Sequence, residues 1–196
     1  MKLVFDIETN GLLRETPSRY YDEELKKWIP FTIPKLNTAW CIVAIDDDNK
    51  QHVFKPDQIK EGIEFLKSAD TLVGHNIIGF DIPVINILYG IDLYKHCKIT
   101  DTLVLSGLFN PIRDKGHSLK AWGEKLGYPK GDHSDFNKFS EEMLTYCIRD
   151  TEINVKVLEL LKKESIGFSK DSVSLEHEVR RVVCNQIENG FAFDYK

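Results

Sequence analysis

The sequence predicts an α/β domain: a mixed β-sheet of about five strands, started by a hairpin and flanked by helices. Three observations carry that expectation. Residues 2–8 and 39–45 are apolar, β-branched runs of strand length, as buried strands require. Between residues 51 and 126, short apolar runs alternate with segments of helical spacing. Residues 140–163 and 174–189 are amphipathic stretches longer than strands run, so they read as helices.

Taken in order, residues 2–8 form the first strand, closed by the turn pair Asn10-Gly11. Residues 14–36 are polar and aromatic and contain Pro17, Pro30 and Pro34, so they read as a long excursion outside the core. Residues 39–45 are a second strand, Asp46-Asp47-Asp48-Asn49 a turn and residues 51–54 a third strand; these two strands pair as a hairpin. In residues 57–68, Ile59, Ile63 and Leu66 recur at helical spacing, with Asp57 as N-cap. Residues 71–75 are a short fourth strand. Residues 81–89 are helical, Pro83 fitting the first turn and Gly90 stopping the helix. Residues 99–109 begin as a strand and turn into a helix that Asn110-Pro111 ends. In residues 117–126, Leu119, Trp122 and Leu126 point inward, and Gly127 caps the end. On residues 140–163 the stripe Met143, Leu144, Cys147, Ile148, Val155, Leu158 and Leu161 marks the buried face. The last helix, residues 174–189, ends at Gly190.

The 196 residues are enough for one domain with its own core. A composition of 42% hydrophobic and 29% charged residues excludes disordered, collagen-like and coiled-coil classes. Lys plus Arg number 26 against 31 acids, for a net charge of -5. That balance argues against a protein that coats nucleic acid through bulk positive charge. Cys41, Cys97, Cys147 and Cys184 make no Cys-x-x-Cys pair and read as reduced, mostly buried thiols. No run approaches the roughly 18 apolar residues of a membrane span. The apolar start is too short for a signal peptide and is interrupted by two carboxylates, so the expected location is the cytoplasm.

Three clusters can carry chemistry. Asp6-x-Glu8 ends the first strand, so both carboxylates point to one face, where burial of two like charges is costly without a cation. Alone the pattern is weak, because about five acid-x-acid pairs arise by chance in a chain this acidic. In Gly74-His75-Asn76-Ile77-Ile78-Gly79-Phe80-Asp81, a strand delivers His75 and Asn76 to the carboxyl edge of the sheet, where ligands gather in open α/β folds. Alone, Asp81 reads as an N-cap carboxylate. Tyr146 and Asp150 lie four apart on one face of the long helix, next to the buried Cys147 and Ile148. Asp6, Glu8, Asp81 and Asp150 together can converge on hard divalent cations, which take oxygen ligands. Two such metals can promote in-line phosphoryl displacement.

Asp6-Ile7-Glu8-Thr9-Asn10-Gly11-Leu12, His75-Asn76 with Asp81, and Tyr146-x-x-x-Asp150 resemble the three motifs of the DEDD 3′–5′ exonuclease superfamily, tyrosine subtype. The likeness is closest to the proofreading domain of family A DNA polymerases of the podovirus type. Asp101-Thr102-Leu103-Val104-Leu105-Ser106 and Ala121-Trp122-Gly123 agree with it too. The resemblance implies an RNase H-like fold and a metal-dependent 3′–5′ exonuclease that acts on the 3′ end of single-stranded or frayed DNA. It implies two divalent cations, Mg²⁺ or Mn²⁺, with Asp6 bridging them. Glu8 and Asp150 would help to hold the metal that carries the attacking water, and Asp81 would act on the second. Tyr146 would orient the water. Thr9 and Leu12 match contacts to the terminal nucleotide, and Asn76 a polar contact near the scissile end. Phe80 reads either as a stacking residue or as packing.

Outside the motifs, Asp101 reads as a helix cap and His75 as a hydrogen-bonded structural residue. Arg113, Lys115, Lys120 and Lys130 are candidates for the DNA backbone, or for a solvated loop. The domain division expected is residues 1–165 for the exonuclease and 166–196 for a C-terminal helix. That helix resembles the passage into a polymerase domain, which makes a polymerase domain or subunit a candidate partner. Its Val179, Val182, Val183 and Ile187 would be exposed unless it folds back or finds that partner. Two rivals stand beside this reading: an RNA 3′–5′ exonuclease of the same superfamily, and a catalytically silent DNA- or polymerase-binding scaffold.

Overall fold

The computed structural model describes residues 1–190. Five strands build the central sheet: β1 (Lys2–Thr9), β4 (Ala39–Ile45), β5 (Gln51–Phe54), β6 (Thr71–Gly74) and β7 (Lys98–Asp101), in the order β5-β4-β1-β6-β7. β4 runs antiparallel to both β1 and β5, whereas β6 and β7 run parallel to β1. The mixed sheet follows from its connections. A tight turn at residues 46–50 joins β4 to β5, and helices carry the chain back to start the parallel strands.

The excursion differs from a structureless loop. Residues 14–36 contain β2 (Thr16–Asp22) and β3 (Lys27–Ile33), a two-stranded antiparallel ribbon apart from the main sheet. Its aromatic cross-strand pairs hold it, Tyr21 against Trp28 and Tyr20 near Phe31, with Arg19 over the Trp28 ring. The prolines are tolerated because both strands are edges. The ribbon stays outside the core, with Tyr20, Tyr21, Trp28 and Phe31 all exposed.

Alternation along β1 divides the sheet's two faces. Leu3, Phe5 and Ile7 join Leu66, Leu72 and Ile85 in the larger core, under α1 (Ile59–Lys67) and α2 (Asp81–Tyr89). Val4 faces the other way and meets Leu158 of α5 (Glu141–Glu164), and Cys41 and Val43 meet Leu144 and Cys147. Asp6 and Glu8 have the parity of Val4, so they emerge beneath α5. Full burial of a leucine or isoleucine on such faces stabilises by roughly 1.5–3 kcal/mol.

Asp57 does not cap α1. It sits in a 3₁₀ turn, Pro56–Gln58, that precedes the helix, because Pro56 suits a first-turn position. Asp101 does cap α3 (Thr102–Phe109), Ser118 caps α4 (Leu119–Lys125) and Ser140 caps α5. The last helix, α6 (Lys170–Asn189), starts earlier than its apolar spacing suggests, because Ser169 caps it by accepting from Ser172 N. The final residues of the polymerase-like stretch, 191–194, lie outside the described residues. All four cysteines are free thiols, three of them buried.

Candidate active site

The carboxyl edge of the sheet gathers the chemistry. The ladder between β1 and β4 shifts register between Glu8 and Thr9, which skips Trp40 on β4. That irregularity ends the pairing just past Glu8 and turns the Trp40 indole to donate to Phe136 O at 2.9 Å. The irregular segment around residues 127–139 is thereby held over the strand end.

Oxygens of Asp6 and Glu8 and Sγ of Cys147 lie within 4.8 Å of one another. Asp81 and Asp150 stand outside that tight group but within its electrostatic reach. Burial, then the charge of Asp150, raises the Asp6 pKa to about 7. Burial and Asp6 push Glu8 well above the carboxylate range, and the same two causes act on Asp81. Asp81 is the first residue of α2 and caps nothing. It is 3% exposed, and its Oδ1 has no hydrogen-bond partner. Burial raises Asp150 against the pull of Lys130, whose Nζ lies 2.5 Å from Asp150 Oδ2, while Oδ1 is unpartnered. Cys147 approaches Asp6 Oδ2 at 3.7 Å, but burial keeps its thiol protonated. Clustered, desolvated carboxylates with orphaned oxygens are a donor set that hard divalent cations fit.

Tyr146 lies one turn before Asp150 on α5. Its ring is under Lys130 Nζ, 4.6 Å from centroid, and near the rings of His133 and Phe136. Burial raises its pKa, so the hydroxyl keeps its proton. Thr9, Leu12 and Phe80 share one cavity of about 510 Å³ with Glu8, Phe31 and Phe136. Gly11 lets that wall close, because a Cβ there would sit 2.3 Å from Pro34 O. Asn76 lines a different cleft, of about 750 Å³, with Tyr146, Lys120 and Lys130. It holds a left-handed backbone (φ 66°) that asparagine tolerates. Asp101 fixes this turn: its carboxylate accepts from Asn76 N, Ile78 N and Leu103 N.

The structure separates the basic candidates. Arg113 is bound to Glu164 and stacked on Trp122 with its side chain buried, so it is structural, whereas Lys115 pairs with Glu124 on the exposed surface. Lys120 and Lys130 face the cleft. His75 is structural, Nδ1 bonding Thr102 Oγ1 at 3.0 Å, and burial lowers its pKa to about 4. Four residues at the site escaped sequence reasoning: Phe31 and Phe136 as cavity walls, Cys147 as a neighbour of Asp6 and Arg180 of α6. Only long-range packing brings them here, and no local spacing announced it.

No family model matches the chain. It is 25% identical to the DNA-directed DNA polymerase of Enterobacteria phage T3 and 24% to that of Escherichia phage T7, over 99% of its own length in each case. It spans about a third (34%) of the length of these curated relatives. Among solved structures it superposes on Brucella melitensis NrnC with a TM-score of 0.63 at 17% identity, covering 99% of this chain and 88% of that one. It matches the Mg²⁺-bound form of NrnC with the same TM-score. The fold is an RNase H-like mixed sheet flanked by helices, similar to that of NrnC, and its carboxyl edge carries the carboxylate cluster. Sequence likeness to phage DNA polymerases and fold likeness to NrnC point to the same resemblance, a phage-type exonuclease domain.

Proposed function

We propose that the chain is a metal-dependent 3′–5′ exonuclease that hydrolyses 3′-terminal phosphodiesters of single-stranded or frayed DNA and releases nucleoside 5′-monophosphates. The observation that carries this reading is the cluster of carboxylates, the buried Glu8, Asp81 and Asp150 and the partly buried Asp6, next to a protonated Tyr146. No purely structural role accounts for this many desolvated acids, two of which, Asp81 and Asp150, carry an orphaned oxygen. These residues would hold two divalent cations, Mg²⁺ or Mn²⁺. When bound, such cations acidify water and offset charge on a leaving oxygen. Tyr146 positions the nucleophilic water through its hydroxyl. Lys130 steadies Asp150 and the Tyr146 ring. Thr9, Leu12 and Phe80 receive the terminal nucleotide in the cavity beside Glu8, Leu12 wedging against its base. Asn76 contacts the strand near the scissile end.

Relatives that are DNA-directed DNA polymerases of phages support DNA as substrate, and with it a proofreading role in the cytoplasm of a phage-infected cell. The exposed Val179, Val182 and Ile187 of α6 offer a polymerase domain or subunit a contact face. No helix among the described residues is long and apolar enough to cross a membrane.

The test is digestion of a 3′-labelled oligonucleotide with Mg²⁺, Mn²⁺ or chelator. Activity requires metal, prefers DNA to RNA, and disappears in Asp6→Ala with Glu8→Ala while the fold persists by circular dichroism. Digestion that survives in the folded double variant refutes the assignment.

A further inference from the structure

The C-terminal helix contributes more than an apolar face. His177 Nε2 accepts the Asp101 N–H at 2.8 Å, and its Nδ1 bonds Val173 O at 2.7 Å. A carbonyl only accepts, so the proton is on Nδ1 and the ring locks α6 to the end of β7. Three residues on, and so on the same face of the helix, Arg180 Nη2 donates to Asn76 Oδ1 at 2.7 Å. Gly79 makes room: a Cβ there would lie 2.9 Å from Arg180 Nη2 and 2.5 Å from Asn76 Oδ1. Arg180 Nε is buried with no partner, and among the described residues no carboxylate pairs with this guanidinium. The side chain forms the wall between the cleft that holds Tyr146 and Lys130 and a second, of about 680 Å³, that holds Leu12 and Phe80.

An arginine brought to the cleft of Tyr146 and Lys130, yet paired with no carboxylate among the described residues, is arranged for an anion that arrives. Its planar fork suits two oxygens of one phosphate. Asn76 uses only its carbonyl on Arg180, which leaves its amide donors for the same strand. We propose that Arg180 of α6 is a phosphodiester-binding residue of this site, gripping the single-stranded DNA backbone on the 5′ side of the scissile bond and fixing Asn76 beside it. This rests on the exonuclease reading above. It makes α6 part of the nuclease site rather than only a connector.

The test uses a 5′-fluorescein-labelled ten-nucleotide oligothymidylate, with binding followed by anisotropy in chelator across a salt series. The cleavage assay with Mg²⁺ runs in parallel on the wild type. Arg180→Ala should weaken binding about tenfold. It should also reduce the slope of log affinity against log salt by about 0.7, the loss of one phosphate contact. Arg180→Lys should restore the slope but only part of the affinity, because it keeps the charge and loses the fork. Should Arg180→Ala fail to fold, Arg180→Gln and Arg180→Lys make the same comparison. Unchanged slope and affinity in a folded, neutral variant overturn the proposal while leaving the nuclease reading intact, provided the wild type binds and cleaves. A wild type that neither binds nor cleaves the oligonucleotide overturns both.

Discussion

Asp6→Asn should stabilise the metal-free protein at alkaline pH, although it removes a metal ligand. Burial and Asp150 raise the Asp6 pKa from 3.8 to about 7. The folded state therefore keeps a proton that the unfolded chain has already lost. The sign follows: the stability from this group is complete below about pH 4, declines as pH rises toward about 7 and is gone above it. At about 1.4 kcal/mol per pH unit, the ionised Asp6 carboxylate costs the fold about 4 kcal/mol above pH 7. Neighbouring charges relax when one is removed, so this is a ceiling. A chain of this size gains roughly 2–4 °C in Tm per kcal/mol, which sets a maximum of about 8–16 °C. The assay is thermal unfolding by circular dichroism, with chelator, at pH 5.5 and pH 8. The wild type should melt lower at pH 8. Asp6→Asn should melt at least about 5 °C above it there, and above it by about half that margin at pH 5.5, because the cost accrues from about pH 4 upward. Millimolar Mg²⁺ or Mn²⁺ should raise the wild-type Tm at pH 8 and leave the variant nearly unmoved, because binding to the folded state adds RT ln(1 + [L]/Kd). If Asp6→Asn melts no higher than the wild type at pH 8 in chelator, the cluster is not the reservoir of repulsion argued above.

Further outcomes can be checked with the same material. Tyr146→Phe keeps the ring packing on Lys130 and loses the hydroxyl, so single-turnover cleavage should slow by about tenfold or more with oligonucleotide affinity unchanged. Leu12→Ala opens the cavity beside Glu8, and KM for DNA should rise about tenfold, the low end of what one stacked base contributes. Lys130→Met leaves Asp150 buried and unpaired, and denaturant unfolding at pH 8 in chelator should show a loss of about 3 kcal/mol, largely recovered by adding Asp150→Asn. Asp101→Ala orphans three backbone donors around the Asn76 turn and should cost about 3 kcal/mol or more in the same measurement.

The parts legible in the sequence were those set by local periodicity. The run from Lys2 to Glu8 reads as a buried strand, and its period of two puts Asp6 and Glu8 on one face. The order of the sheet's strands and the helices followed the alternation of apolar patterns. The ribbon of β2 and β3 was hidden because its pairs, such as Tyr21 with Trp28, are exposed, and its prolines argued against strands. Asp81 was ambiguous for a different reason. A helix start predicts a cap, and only burial with an orphaned oxygen shows that its role is elsewhere. Lys130 and Arg180 could not be ranked among the basic residues by sequence. One lies in an irregular segment and the other on a helix docked by long-range contacts, among them His177 with Asp101 N and Arg14 with Ile187 O.

The net charge of -5 then takes on a different meaning. A charge sum counts every acid as though it faced the approaching strand. Here Glu8, Asp81 and Asp150 are buried and Asp6 is largely so, with their proton affinity raised, and Lys130 offsets Asp150 at contact. The cleft surface beside them is instead lined by Lys120, Lys130, His133 and Arg180 against one acid, Asp132. A phosphate meets that rim first, within the roughly 8 Å over which charge acts at physiological salt. The rest of the acidic surface is mostly screened at greater distance and discourages long, nonspecific coating. Such a distribution suits a protein that grips a few nucleotides at one end of a strand. It also predicts a shallow salt dependence, of a few phosphate contacts rather than the steep slope of a protein that coats DNA.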